Sequence, residues 1–302
     1  MFIAAFDIGG TSIKYGVVNE EGTILMDNSF PSEAHLGGKA IIQNIIAKGK
    51  ELQQEWDLAG IAISSAGQID NKAGVVVHAT DTIPGYTGVQ IKQRIEEATG
   101  LKVTAENDVN CTALGEHWKG AAMDADDFLC VTIGTGIGGA IFTDGTLYAG
   151  SRFSAGEIGH INLYAGGKPC TCGDSGCLEQ YASSSALQEM IGAVFGYKME
   201  LRTFFDGLRT DDEKSMVLYN QWIDDLATGM KSMVHILNPE LIVIGGGVSA
   251  QGDFLLDPVK EALMEKIMPN HAAKLDIRIA QHANQANLLG AVKHFIDCGA
   301  GG

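Results

Sequence analysis

Apolar runs interrupted by glycine turns occur at two places in this chain. Residues 2–18 consist of an apolar run, a glycine turn and a second apolar run, and residues 128–143 repeat this order. Each pattern predicts a strand, a turn and a second strand. The residues of the two turns are Gly9, Gly10 and Thr11 in the first copy, and Gly134, Thr135, Gly136 and Gly138 in the second.

The repetition continues beyond these turns. Helical patterns precede apolar strands at 60–67 and at 241–247, and a strand and helix at 103–115 match those at 277–290. The chain is therefore predicted to contain two copies of one α/β unit. We expect mixed sheets flanked by helices, with the glycine turns facing a cleft between two domains.

The lengths of the two halves indicate where the domains change. We predict an N-terminal domain of residues 1–117 and a larger C-terminal domain of residues 118–285. Residues 183–237 have no counterpart of equal length in the first half. They are predicted to be a helical insertion that forms an oligomer surface, with a homodimer as the expected assembly. The final helix, 286–297, is expected to pack back on the first domain.

Three short signals predict helix ends. Gly100 is typical of the residue that follows a helix, here one at 91–99. Asp257 with Pro258 is typical of a helix start. Thr210 has a glutamate three residues later, which is a capping-box pattern before a long helix.

Composition narrows the possible functions. The 302 residues are 45% hydrophobic and include 39 glycines, which is enough for two globular domains. A formal net charge of -16 argues against a nucleic-acid partner. The first residues form an apolar strand with an acid instead of a signal peptide, and no apolar run has the length of a membrane span. We therefore expect a cytoplasmic protein without a membrane partner, in which the isolated cysteines, Cys111, Cys130 and Cys298, are reduced.

The segment 157–179 combines glycines with four potential metal ligands. The cysteines have C-x-C-x4-C spacing with a histidine ten residues upstream, a set that suits tetrahedral Zn²⁺. The alternative is that these cysteines are buried hydrophobes or form a disulfide, but the cytosolic character of the chain favours metal. Such a closed site is structural, and it would hold Glu157 and Glu179 in place. The four ligands are His160, Cys170, Cys172 and Cys177.

The two glycine turns suggest a nucleotide held by backbone N–H groups. A single turn of this kind could be a plain hairpin, but two turns in duplicated register favour phosphate binding. Asp7, at the end of a buried strand, would meet a magnesium-bound water, or it could be a cap or turn acid. Lys14, in the strand after the first turn, is a further candidate nucleotide contact. Neither turn has the spacing of a Walker A motif.

Asn107 and Asp108 follow a predicted strand and open a helix. They could simply cap that helix. The corresponding turn of the second half, 282–284, has no acid, and a cap would be needed in both halves whereas a general base is needed once. Asp108 is thus the candidate to accept the proton of an attacking hydroxyl, with Asn107 holding a neighbouring hydroxyl. Glu157 and Glu179 are interpreted as sugar contacts instead of a glycosidase pair, because the glycine turns indicate phosphate chemistry.

These motifs resemble those of the ROK family of bacterial sugar kinases and sugar-responsive repressors, and the resemblance spans essentially the whole chain. It implies an actin-like (RNase H-like) ATPase fold and transfer of the γ-phosphoryl group of ATP, with Mg²⁺, to a sugar hydroxyl, usually the 6-OH of a hexose. The matching motifs are D-I-G-G-T at 7–11, E-N-D-V-N at 106–110, T-I-G-T-G-I-G-G at 132–139, E-I-G-H at 157–160 and C-T-C-G-D-S-G-C-L-E at 170–179.

The resemblance also implies roles for individual residues. Asp108 would be the catalytic base, and Zn²⁺ would be structural. Three glycines at 245–247 would border the adenine of ATP. The implied sugar contacts are Gly67, Asn107, Glu157, His160 and Glu179; the implied adenine neighbours are Gly245, Gly246 and Gly247.

Several stretches are most similar to β-glucoside kinases, which phosphorylate the 6-OH of the non-reducing glucose of cellobiose-like disaccharides. Glucokinases and N-acetylmannosamine kinases share most of the motifs, although the loop 81–86 departs from the N-L-P-G-W pattern of glucokinases. A second sugar ring would need a wider pocket near Tyr86 and Gly166. A repressor or a non-catalytic sugar sensor is the alternative of another class. The chain begins on its first strand without a helix-turn-helix domain, and it has both Asp7 and Asp108, so a kinase is favoured.

Overall fold

The computed structural model describes residues 1–210, 212–282 and 285–300. The chain divides into two compact units, each discontinuous in sequence. The sequence placed the change of domain after residue 117, whereas the first compact unit continues to Asp126 and includes two later segments. The first unit comprises Met1–Asp126, Ile141–Ala155 and Asn284–Gly302, and the second comprises Asp127–Ala140 and Gly156–Ala283.

A five-stranded sheet in the order β3-β2-β1-β4-β7 forms the centre of the first unit. Strands β1 to β3 are antiparallel, and β1, β4 and β7 are parallel. All residues of β1 after Phe2 are buried, which explains the apolar run at the start of the chain. The strands are β1 (Phe2–Ile8), β2 (Ser12–Asn19), β3 (Ile24–Pro31), β4 (Leu58–Ser65) and β7 (Lys102–Asn107), with the hairpin β5 (Gln68–Asp70) and β6 (Val75–His78) between β4 and β7.

Two helices of the first unit approach each other through glycines. They are α3 (Asp108–Lys119) and α10 (Ala286–Ala300). A Cβ atom on Gly290 would lie 1.7 Å from the carbonyl oxygen of Cys111, and one on Gly115 would lie 2.3 Å from that of Ala286. Close packing therefore requires glycine at both positions. The other helices of this unit are α1 (Gly38–Glu55) and α2 (Ile91–Thr99).

The second five-stranded sheet has the order β10-β9-β8-β11-β12. Strands β8, β11 and β12 are parallel, as are β1, β4 and β7. The matching strand orders confirm the predicted duplication and an α/β fold with two mixed sheets. The strands are β8 (Phe128–Ile133), β9 (Ile137–Thr143), β10 (Thr146–Leu147), β11 (Leu241–Gly245) and β12 (Asp276–Ile279).

Most of the insertion at 183–237 is helical, and many of its apolar side chains are buried. Trp222 and Phe204 are completely buried, and the Trp222 indole donates to the carbonyl of Ser183. The homodimer stays a prediction. The helices of the second unit are α4 (Glu179–Ala182), α5 (Ser184–Phe195), α6 (Leu201–Leu208), α7 (Glu213–Leu237), α8 (Asp253–Lys266) and α9 (Pro269–Ala272).

The helix signals had different outcomes. Gly100 does end α2, with a left-handed φ of 73°. The prediction of a Thr210 cap was wrong, because Asp212 caps α7 by accepting from the Ser215 N–H over 2.9 Å. The predicted start at Asp257 was also wrong, since α8 begins at Asp253 and contains Pro258. Among the residues described, no helix is both long and apolar enough to cross a membrane.

Candidate active site

Several candidate residues of the first unit meet where its parallel strands end. Ile8 lies opposite Ser65 in β4, and Ser65 lies opposite Asn107 in β7. The carboxyl ends of parallel strands lie at one edge of a sheet. The segments that directly follow β1, β4 and β7 therefore begin at the same edge, and they contain the first glycine turn, Gly67 and the start of α3.

Asp7 is a buried strand residue, which excludes the alternative of a cap or turn acid. Its side chain Oδ1 accepts from Ser64 Oγ over 2.7 Å and from Asn287 Nδ2 over 3.0 Å. Lys14 lies opposite Asp7 in β2, with its Nζ 3.8 Å from Asp7 Oδ2. Two hydrogen-bond donors and one ion pair thus stabilise the carboxylate, as a buried charge requires. Ser64 and Asn287 were not predicted, and no local pattern points to Asn287.

The first glycine turn is anchored by one buried serine. Ser32 donates from Oγ to the carbonyl of Gly10 over 2.8 Å and from its N–H to the carbonyl of Thr11 over 3.1 Å. Gly9 donates to the carbonyl of Ser12 over 3.2 Å. These bonds fix the backbone of the turn while Gly10 and Thr11 stay exposed.

Asn107 caps α3, so the capping interpretation is right for this residue. Its Oδ1 accepts from the N–H groups of Val109 and Asn110. Its Nδ2 donates over 2.9 Å to the carbonyl of Gly67 and to Oδ1 of Asp108. Gly67 has a φ of 90°, and a Cβ atom there would lie 2.8 Å from the carbonyl oxygen of His78. A sugar-hydroxyl contact by Asn107 stays a prediction.

Asp108 is the first residue of α3 and has the electrostatics of a general base. Burial and the negative charge of Asp7 raise its pKa to about 7, against the N–H of Val109, which lowers it. Such a carboxylate is partly ionised near neutral pH and still binds a proton firmly, which is the compromise that general-base catalysis requires.

Tyr86, near which a second sugar ring was expected to need a wider pocket, is a buried residue. Its side chain is only 1% exposed, and its hydroxyl lies 2.7 Å from Ser65 Oγ. The aromatic ring is part of the core of the first unit.

In the second unit, two glycine turns lie at the ends of neighbouring strands. The turn 134–136 follows β8, and Gly245 at the end of β11 lies opposite Thr132 in β8. Gly246 has a φ of 84°, and a Cβ atom there would lie 2.5 Å from the carbonyl oxygen of Ile133. The turns thus adjoin each other. The other predicted nucleotide contacts of this unit lie close by. Thr135 is exposed in the turn 134–136, Gly138 lies in β9, and Gly247 begins a short 3₁₀ helix.

The predicted zinc ligands are brought together. One ligand atom from each of the four residues lies within 4.8 Å of the others. Cys170 Sγ is 3.5 Å from His160 Nδ1, and Cys172 Sγ is 3.6 Å from Cys177 Sγ. A tetrahedron with Zn–S bonds of ~2.3 Å has edges of ~3.8 Å, so the cluster fits Zn²⁺. The pair at 3.6 Å is not a disulfide, and none of the six cysteines, all within the described residues, forms a disulfide. Bound Zn²⁺ would have a structural role.

Glu179 links this cluster to the glycine turn 134–136. Its Oε1 lies 3.2 Å from Cys170 Sγ and 3.7 Å from His160 Nδ1. Its Oε2 would lie 2.6 Å from a Cβ atom on Gly136, so that glycine makes room for the carboxylate. Glu157 directly precedes the 3₁₀ helix Ile158–His160. A sugar contact by any of these residues stays a prediction. In the predicted counterpart of the Asp108 turn, 282–284, positions 283 and 284 lie outside the described residues.

A model of the ROK family matches residues 3–297. The chain belongs to the ROK family. ROK relatives include the β-glucoside kinase of Listeria innocua, 34% identical with 98% of each chain covered. The glucokinase of Thermotoga maritima is 31% identical with 94% of each chain covered. A structure of a ROK family glucokinase from Streptomyces griseus in complex with glucose and AMPPNP has a TM-score of 0.84 and 29% identity, covering 96% of this chain and 98% of that one.

The family and the duplicated, actin-like fold inferred from the motifs are therefore confirmed. Three residues outside these motifs also belong to the candidate site. Ser64, Asn287 and Ser184 each hydrogen-bond to a predicted site residue.

Proposed function

We propose that this protein is an ATP-dependent sugar kinase that transfers the γ-phosphoryl group to the 6-OH of a glucose unit, with β-glucosides such as cellobiose favoured. The observation that carries the proposal is Asp108. Its pKa of about 7 and its fixed position at the start of α3 are the properties of a base for a sugar hydroxyl. The structure of the Streptomyces griseus relative in complex with glucose and AMPPNP supports the same chemistry.

Asp108 would accept the hydroxyl proton as the sugar oxygen attacks the γ-phosphorus. Phosphoryl transfer depends mainly on positioning and on neutralising negative charge, so one base and two glycine turns are sufficient protein machinery. The N–H groups of 9–11 and 134–138 would hold the phosphates, and 245–247 would border the adenine.

Magnesium fits the carboxylate of Asp7. Mg²⁺ prefers oxygen ligands and retains waters, and Asp7 is a buried carboxylate already fixed by Ser64 and Asn287. Asp7 would hold the ion through a bound water, and the ion would neutralise charge on the ATP phosphates. Lys14, beside Asp7, would add a further positive charge.

Contacts to sugar hydroxyls are proposed for Asn107, and for Glu157, His160 and Glu179. Carboxylates and amides are common acceptors and donors for sugar hydroxyls. A β-glucoside is favoured by the similarity of several sequence stretches to β-glucoside kinases, and by the L. innocua relative. The buried state of Tyr86 means that a second ring would have to use other residues than this one.

An assay of ATP consumption with glucose, cellobiose, N-acetylmannosamine and fructose tests the proposal. We expect turnover with a glucose unit and the highest kcat/KM with cellobiose. Product NMR would locate the phosphate, and a phosphate at O6 is expected. The variant Asp108→Asn removes the proposed base and should lose turnover in the same assay. Asp57→Asn is its matched control, because Asp57 is an exposed carboxylate directly before the first residue of β4, at the end of that strand remote from Ser65.

Each alternative predicts another outcome. Highest turnover with free glucose or with N-acetylmannosamine would identify a glucokinase or an N-acetylmannosamine kinase instead. Sugar binding in calorimetry without turnover of any of the four sugars would contradict the kinase proposal and favour a sensor or repressor relative.

A further inference from the structure

The three consecutive serines at the start of α5 have three different environments. Ser183 caps the helix, because its Oγ accepts from the N–H of Ala186 over 3.1 Å. Ser184 donates twice to the carbonyl of Gly134, from Oγ over 2.7 Å and from its N–H over 2.9 Å. Ser185 makes no side-chain hydrogen bond within the described chain. One serine of the three thus contacts the glycine turn.

The bond from Ser184 constrains a turn with few other contacts. Gly134 donates to the carbonyl of Gly136 over 3.0 Å, which closes the turn on itself. A Cβ atom on Gly134 would find no atom within 4 Å, so side-chain packing does not restrain this end of the turn. The Gly134 carbonyl is therefore an important attachment point of the turn.

The same short segment connects the turn to the metal cluster. Glu179, the first residue of α4, has one carboxylate oxygen 3.2 Å from Cys170 Sγ and 3.7 Å from His160 Nδ1, and it faces Gly136 with the other. Ser184 lies five residues later and contacts Gly134. Residues 179–184 thus contact the turn 134–136 at both of their ends and the zinc cluster at Glu179.

We propose that Ser184 is a positioning residue for the nucleotide-binding turn 134–136, and that residues 179–184 transmit the order of the zinc loop to that turn. The proposal rests on the proposed function, because the turn must bind ATP. Ser184 would act through the turn instead of contacting phosphate or metal itself. It sets the direction of the N–H groups that would face the phosphates, since the carbonyl that it fixes belongs to the same peptide turn.

The test compares Ser184→Ala with Ser185→Ala and Ser184→Thr. In Ser184→Ala the Gly134 carbonyl keeps its bond from the backbone N–H, so no buried acceptor is left unpaired and the fold is expected to survive. Binding of AMPPNP by calorimetry should weaken roughly 2- to 10-fold, the usual worth of one hydrogen bond. KM for ATP should rise by the same factor, with the affinity for sugar unchanged. Ser184→Thr retains the hydroxyl and should restore nucleotide affinity, and Ser185→Ala should match the wild type.

A second arm removes zinc by chelation and measures AMPPNP binding alone. Weaker nucleotide binding in the wild type, and no further weakening in Ser184→Ala, would support transmission through residues 179–184. Equal AMPPNP affinity of Ser184→Ala and Ser185→Ala would overturn the positioning role. Failure of the wild type to bind AMPPNP would instead contradict the proposed function, so the two failures are distinguishable.

Discussion

Asn287 donates from Nδ2 to Oδ1 of Asp7 over 3.0 Å, across 280 positions of sequence. Its Oδ1 lies 2.5 Å from the hydroxyl of Thr112, which in turn lies 3.1 Å from the carbonyl oxygen of Asp108. The Asn287 amide, at the start of α10, thus connects Asp7, the carboxylate proposed to hold Mg²⁺, with α3, the helix that begins with Asp108. The glycine contacts between α3 and α10 hold this amide in place.

The first prediction concerns Asn287. Asn287→Asp should lower kcat/KM for ATP more than Asn287→Ala does. The aspartate would place a second carboxylate beside Asp7, and like charges at this distance disfavour each other, whereas alanine removes only a hydrogen bond. Steady-state kinetics at varied ATP and Mg²⁺ would measure the effect. The reverse order of the two variants would contradict a role of this amide in fixing the charge of Asp7.

The second prediction concerns pH. The proposed base must be ionised to accept a proton, and the pKa of Asp108 is about 7. Below that value kcat/KM should fall about tenfold for each pH unit, and above it the rate should level off. Rates between about pH 6 and 9 would show the limb, with sugar binding by calorimetry as the control for folding and binding. A rate that is flat across this range would exclude Asp108 as the titrating base.

The third prediction concerns Asp108→Asn. Turnover should fall about 10²- to 10⁴-fold, the usual worth of a positioned base, with sugar binding nearly intact. The raised pKa of about 7 means that the folded state binds the Asp108 proton more firmly than the unfolded chain does. The stability from this proton is present below the ordinary pKa and is lost as pH rises to about 7.

The asparagine of Asp108→Asn does not titrate, so the variant does not lose stability in this way as the pH rises. The variant should therefore melt no lower than the wild type above about pH 7. Thermal melts at two pH values would check this, with Asp57→Asn as the control. Wild-type turnover in Asp108→Asn would contradict the assignment of the base.

The features that sequence revealed are those with a local backbone cause. The glycine turns and the start of α3 follow from residues next to one another, so their order along the chain predicts them. The cysteine spacing likewise places the metal ligands in one short loop. The predicted duplication is confirmed because the two sheets have the same strand order, and in each sheet a glycine turn follows the first strand of the copy.

Long-range partners and helix starts were less accessible. No neighbouring residue marks Asn287 as the partner of Asp7, because that pairing arises only when α10 packs on α3. The start of α8 follows its buried face, Leu255, Val259 and Leu263, instead of the Asp257 signal. Tertiary burial thus decided where this helix begins, and local propensity did not.

The last prediction concerns Cys172→Ser. Loss of one thiolate from the Cys3His cluster should lower bound zinc and sugar affinity together. His160 would lose the metal that fixes it, and Glu179, which contacts both His160 and Cys170, would lose its orientation. Elemental mass spectrometry would measure the zinc content, and calorimetry would measure the sugar affinity. Cys298→Ser is the matched control, because Cys298 is an exposed thiol on α10 outside the cluster. A Cys172→Ser protein that lacks zinc and binds sugar with wild-type affinity would refute the coupling.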